Sequence, residues 1–222
     1  MIRRVTTVLA FVACALSAAV VHADTFVTVD PAKITNGYMN VFNLPADGSG
    51  YQFGTGWGFG DLVCYYTGSD LTFAPNTIGD PNPYWYIGGG APGAPGNKIM
   101  EANGYAEDNA GGLAGQTVRF SGSVVSNTLT SSHTVIAFIK DFAPDFSSSN
   151  VSSVVLPSTG VFSITLATVN DAARHVQYGF QMTGPCVWVT DVANFGSVTI
   201  SPFDGTVATK HTSWGTLKSL YR

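Results

Sequence analysis

Charge is scarce in this sequence. Ten basic and fourteen acidic residues stand among 222, and glutamate occurs only twice, at Glu101 and Glu107. No lysine or arginine cluster is present to neutralise phosphates, which argues against a nucleic-acid partner. No eighteen-residue apolar run occurs after the N-terminal segment, so no membrane-spanning helix is expected in the mature chain. Enzyme signatures are missing as well. There is no G-x-S-x-G elbow and no G-K-[ST] loop, and "GTGWGFG", with glycines at 54, 56, 58 and 60, fails dinucleotide spacing. His133, His175 and His211 are scattered, without the spacing that holds zinc on a helix. Two glutamates, and no carboxyl pair at alternate positions of one predicted strand, offer nothing for glycoside hydrolysis. The expectation is a protein that is not an enzyme.

What is present begins with an export signal over residues 1–23. Arg3 and Arg4 supply the positive start, Val8 to Val21 the apolar core, and Val21-His22-Ala23 the small-residue cleavage site. The mature chain then starts near Asp24 and is secreted, to the extracellular medium or the cell surface. Removing Arg3 and Arg4 from the ten basic residues leaves eight against fourteen acidic ones, a formal net charge of −6. Of three cysteines, Cys14 is lost with the signal. Cys64 and Cys186 remain, either paired as a disulfide in an oxidising compartment or held as two separate buried thiols.

The body, residues 24–202, reads as one domain of many short strands without an amphipathic helix. In "HVQYGFQM" Val176, Tyr178, Phe180 and Met182 alternate with His175, Gln177, Gly179 and Gln181, the period-two mark of a half-buried strand. "TVRFSGSVVS" sets Val118 and Phe120 against Arg119, and "VFSITLAT" turns Phe162, Ile164 and Leu166 inward. "TVIAFIKDF" is apolar on both faces, as a covered interior strand would be. Short strands with Gly, Pro, Asn and Asp turns predict an all-β, two-sheet antiparallel sandwich of jelly-roll type. Residues 203–222 read as a C-terminal tail. Its closing "SWGTLKSLYR" loosely resembles tails that end many secreted bacterial proteins, which implies sorting or attachment.

Aromatics in loops and amides on strand faces are the surplus. In "DPNPYWYIGGGAPGAPG", prolines fix the backbone around Tyr84, Trp85 and Tyr86, and glycines let it turn. These rings serve the core, with Trp85 inward and Tyr84 and Tyr86 outward, or a ligand platform, or a surface for self-association. A sugar ring stacks on an aromatic face while its hydroxyls need amide, imidazole or guanidinium partners. Neutral amides do this without the desolvation cost of a charge. Trp57, Tyr84, Trp85 and Tyr86 are therefore the stacking candidates, and Arg119, His175, Gln177 and Gln181 the hydrogen-bonding ones. Calcium could also sit among Asp141 and Asp145 at a strand end, where a plain Asp turn looks the same.

The order "GQTVRFSGSVVSN", "TVIAFIKDF", "VFSITLA", "VQYGFQMTG", "VWVTDVANFGSVTIS" resembles the galactose-binding-domain-like jelly roll of many carbohydrate-binding modules. Gly184, Trp188 and Asp191 occupy the pattern that leads into the last core strand. The resemblance covers residues 110–202 well and 24–110 in outline. It implies binding of a polysaccharide or oligosaccharide through loop aromatics and polar face residues, and a structural calcium ion for which Asp191 is the ligand to test. Such modules are usually appended to catalytic domains, whereas this one is expected to stand alone. The alternative is a structural or adhesive surface protein that self-associates or is attached through its tail.

Overall fold

A computed structural model describes residues 23–203 of the chain. The expected signal and tail lie outside the described residues except for Ala23 and Phe203. Among the described residues twelve strands form two six-stranded sheets. They are β1 (Ala23–Thr28), β2 (Asn36–Asn43), β3 (Tyr51–Gly56), β4 (Cys64–Thr67), β5 (Asp70–Phe73), β6 (Lys98–Asp108), β7 (Gln116–Asn127), β8 (Thr134–Phe142), β9 (Ser149–Val155), β10 (Gly160–Ala167), β11 (His175–Pro185) and β12 (Val198–Pro202). Sheet one runs β1-β7-β12-β5-β4 with β10 also on β7, and sheet two runs β3-β2-β6-β11-β8-β9. Among the described residues the only helical pieces are 3-10 turns. The expected all-β sandwich is therefore the observed fold.

One pairing departs from the antiparallel expectation. β1 lies parallel to β7, from Ala23 opposite Gln116 to Thr28 opposite Ser121. β12 pairs with the later residues of β7. Phe203 N donates to Thr28 Oγ1 at 2.8 Å, so the end of β12 meets the end of β1.

The core lies between the sheets and is built from the alternate residues that the sequence marked. Val118, Phe120, Phe162, Ile164, Val198 and Ile200 face Val176, Tyr178, Phe180 and Met182, and all are buried. Phe120 meets Phe162, Tyr178 and Phe180 at ring-centroid separations of 5.3–5.4 Å, geometries that add to the area term of burial. β8 is interior, between β11 and β9. At its end Asp141 is fully buried and accepts from Arg174 Nε at 2.7 Å and Val169 N at 2.9 Å. A buried carboxylate is tolerated when paired in this way.

The two cysteines do not form the disulfide considered from the sequence. Both are free and buried. Cys64 lies on β4 beneath Gly104 of β6, while the Cys186 thiol donates to Tyr86 Oη at 3.2 Å just beyond β11. Burial pushes both thiols up from their ordinary range.

Candidate functional site

β6 alternates as strictly as β11. Met100, Ala102, Gly104 and Ala106 are buried, which sends Glu101, Asn103, Tyr105 and Glu107 to the outer face of sheet two. Register then assembles rows across the sheet. Tyr38, Asn103, Gln181 and Ile136 form one row; Tyr105, Gly179 and Phe138 the next; Glu107, Gln177 and Lys140 a third. Gly179 is required at the centre. A Cβ there would stand 2.2 Å from Gly104 O and 2.7 Å from Tyr105 Cα.

These rows surround a cavity of about 480 Å³ lined by Tyr38, Asn40, Asn103, Tyr105, Glu107, Lys140, Phe142, Phe146 and Gln177. Lys140 reaches inward along the face. Its Nζ lies 4.1 Å from the Phe138 ring centroid and donates to Asn103 Oδ1 and Gln181 Oε1, each at 3.2 Å. That explains why Phe138, on the outer face, is fully buried. Burial holds the Lys140 amine below its ordinary value, and the nearby Glu101 partly restores it. Glu101 accepts from Asn40 Nδ2 at 2.8 Å. Burial, and secondarily Glu107, pushes the Tyr105 phenol up.

One wall comes from the turn between β8 and β9. Ala143 N donates to Ser148 O and Phe146 N to Ala143 O, both at 2.9 Å, and Asp145 Oδ1 accepts from Ser147 N and Oγ. Phe146 occupies φ +58°, the left-handed slot that hairpin turns normally give to glycine. Its ring stacks on His175 at 4.4 Å between centroids and 15° between planes. His175 Nδ1 lies 2.8 Å from Asn109 Oδ1 and 3.4 Å from Glu107 Oε1.

Toward the other end of the same strands lies a second depression of about 550 Å³, bordered by Phe42, Ile99, Thr134 and Thr183. From Glu107 to Ile99 is eight residues of β6, about 26 Å, with Asn40 and Glu101 in between.

The sequence-predicted residues divide. Gln177 lines the first cavity, Gln181 holds Lys140 at its floor, and His175 backs Phe146. The others are elsewhere. Arg119 is on sheet one, paired in register with Phe26 and 5.6 Å from that ring's centroid. Trp57 is half-buried against the core and borders a separate open hollow with Asp61 and Thr77. Tyr84 is 37% exposed, with Lys98 Nζ 4.3 Å from its ring centroid. Trp85 is half-buried between Tyr84 and Phe53. Tyr86 is fully buried, its hydroxyl donating to Ile78 O at 2.5 Å and accepting from Ile78 N at 3.0 Å, so its ring offers no face to a ligand. The cavity on sheet two is lined neither by Trp57 nor by any of residues 80–97.

The residues given to calcium are engaged otherwise. Asp191 Oδ2 accepts from Gly93 N at 2.6 Å and Oδ1 from Thr190 Oγ1 at 3.1 Å, tying two loops together. Asp141 is spent on Arg174 and Asp145 on Ser147. Among the described residues no group of three or more His, Cys, Asp or Glu side chains is placed to hold a metal ion. No helix among them is long and apolar enough to cross a membrane.

Tyr38, Asn40, Asn103, Tyr105, Lys140, Phe142 and Phe146 were not singled out from the sequence. The signal for two of them was available: "EANGYAE" alternates with the same period as "HVQYGFQM". Phe146 had none, because a turn phenylalanine carries no periodicity.

Taken together, these features define a two-sheet β-sandwich with an aromatic and amide cavity on one open sheet face. The chain matches no family model, no curated protein and no solved structure.

Proposed function

We propose that this protein is an exported, non-catalytic carbohydrate-binding sandwich whose site is the outer face of sheet two. The observation that carries the reading is the composition of that face: Tyr38, Tyr105, Phe142 and Phe146 interleaved with Asn40, Asn103 and Gln177 around one open cavity. Aromatic faces complement the apolar C–H face of a pyranose, and amides both donate to and accept from its hydroxyls. The volume falls within the range of small-ligand pockets. Two depressions along the same strands favour an oligosaccharide or polysaccharide chain over a single sugar.

Lys140 serves this reading as a positioning residue. It fixes the carboxamide oxygens of Asn103 and Gln181, leaving their N–H groups a defined direction. Asn103 Nδ2 in turn donates to Glu101 O at 3.1 Å. A ligand then meets amides whose rotamers are already set, which reduces the entropy lost on binding.

The test is a screen of the mature chain against soluble oligosaccharides and insoluble polysaccharides, followed by calorimetry on any hit. Tyr105→Ala and Gln177→Ala should each weaken binding at least about tenfold, roughly 1.4 kcal/mol, with the fold intact by circular dichroism. A broad screen without a saturable hit, or a hit indifferent to both substitutions, overturns the reading.

A further inference from the structure

From Phe146 to Asn170 the sequence contains no Asp, Glu, Lys, Arg or His. Ten basic and fourteen acidic residues in 222 amount to about one in nine, so a stretch of that length would ordinarily carry about three charges. The stretch is not interior. It forms β9 and β10, consecutive strands that pass from sheet two to sheet one along one side of the sandwich.

β9 is the last strand of sheet two, bonded to β8 on one edge and, among the described residues, to no strand on the other. Its seven residues, Ser149–Val155, are exposed or nearly so throughout. Val151 is 51% exposed and Val155 60%, and Val161 at the start of β10 is 53% exposed. An open strand edge is a row of unsatisfied N–H and C=O groups, and proteins guard such edges with lysine, proline, bulges or very short strands. Of the other outer strands, β4, β3 and β1 carry guards, in β1 the charge of Asp24, whereas β10, bonded only to β7 among the described residues, shares the uncharged character of β9. β4 has only four residues, and β3 is irregular, with a register shift opposite Val41 and Phe42 and glycines at 54 and 56. β9 has no bulge, no proline and no charge.

We infer that β9 is a pairing edge and that its partner is β9 of a second copy of this chain, forming a two-fold antiparallel junction about 23 Å long. A strand paired with its own copy about a two-fold axis must be self-complementary. A charged residue would bring like charges near one another across such a junction, at a cost; "SNVSSVV" brings none. The remainder of the mature chain carries a net −6 and repels its own copies. The uncharged side is where two copies approach at least cost. Because the contact is isologous it closes at two and does not propagate into a filament.

The experiment is sedimentation equilibrium on the mature chain from about 1 μM to about 1 mM, together with amide hydrogen exchange at both ends of that range. The expected result is a monomer–dimer equilibrium with β9 amides better protected at high concentration and β3 amides unchanged. Val154→Lys and Val151→Lys, both at exposed positions, should each raise the dissociation constant at least about tenfold. Thr55→Lys on β3 should leave it unaltered. A monomer throughout the range, a filament, or a dimer that ignores both β9 substitutions or responds equally to Thr55→Lys overturns the inference.

Discussion

The loop of residues 80–97 and the outer face of sheet two contain the same chemistry, tyrosines and asparagines beside a lysine, and they spend it differently. In the loop the polar atoms satisfy the loop itself. Asn82 Oδ1 accepts from Tyr84 N, Asn97 Nδ2 donates to Pro83 O, and the Tyr86 hydroxyl bridges to Ile78. On the sheet the backbone is already satisfied by its ladders, and Asn40 and Asn103 are tied mainly to neighbours on the same face, Glu101, Lys140 and Tyr38 O, while with Gln177 they line a cavity. A loop must use side chains to close its own hydrogen bonds, whereas a strand face can offer them outward. Aromatic density alone therefore does not mark a site.

The largest effect that would sharpen this contrast lies in the loop. Tyr86→Ala removes a fully buried ring and strands the Ile78 amide, and should cost about 3–5 kcal/mol in urea unfolding. Trp85→Ala, at a half-buried ring, should cost less. Neither substitution should change glycan affinity in protein that remains folded. A loss of affinity on Trp85→Ala without loss of stability would break the contrast and return the loop to the site.

Next is alkaline pH. Burial raises the pKa values of Tyr66, Tyr86, Tyr105, Tyr178, Cys64 and Cys186 above their ordinary values of 10.0 for phenol and 9.0 for thiol. In the unfolded chain these groups lose protons first, so the folded state binds more protons and stability falls as pH rises above about 9. Lys140 acts with the opposite sign. Its folded pKa is depressed, so its penalty is present at neutral pH and is relieved as pH rises toward the ordinary lysine value of 10.5. Six groups outweigh one, and chemical denaturation between pH 8 and 11 should show a steep net loss. Lys140→Met removes the opposing contribution and should steepen it. A flat profile would mean that the rings and thiols are not held as described.

Asn103→Leu isolates the sheet face. Asn103 is 4% exposed and supplies one of the two amide oxygens on Lys140 Nζ. Its loss leaves a largely buried ammonium underpaired and should cost about 1–3 kcal/mol, with glycan affinity falling at the same time. Asn103→Asp restores an acceptor for Lys140 and should recover stability more than affinity, because a carboxylate accepts only and loses the Nδ2 bonds to Glu101 O and Tyr38 O that set the side chain's direction. Equal recovery of both would sharpen the account toward simple charge pairing.

The strands were legible where one face is buried. β7, β10 and β11 could be drawn residue by residue because Val118, Phe162 and Phe180 must point inward and their neighbours cannot. The parallel pairing of β1 was not legible, since "ADTFVT" carries no mark of its partner's direction. Of the candidate site, only Gln177, Gln181 and His175 were legible, all on β11. Their neighbours Asn103 and Lys140 join them through register, which is a property of strand pairing and invisible in either strand alone. The loop aromatics misled for a related reason. Tyr86 looks exposed in a proline-glycine run until Ile78 and Val187 are brought to its hydroxyl.

The smallest effect concerns Phe146 and carries opposite signs for stability and binding. A non-glycine residue at φ +58° pays for its backbone, and a turn that could have used glycine for nothing holds a phenylalanine there instead. Such strain persists where the ring has a use. Here the ring forms a wall of the cavity and stacks on His175. Phe146→Gly should therefore relieve backbone strain by up to about 1 kcal/mol, set against the loss of the ring's exposed contacts with His175 and Phe142, about 0.5–1.5 kcal/mol. Unfolding stability should change little, while glycan affinity falls several-fold. Phe146→Asn keeps tolerance of the left-handed slot and adds a polar group, and should also bind weakly. If Phe146→Gly is clearly less stable and binds as tightly as the parent, the ring is holding the turn and not the ligand, and the cavity loses that wall.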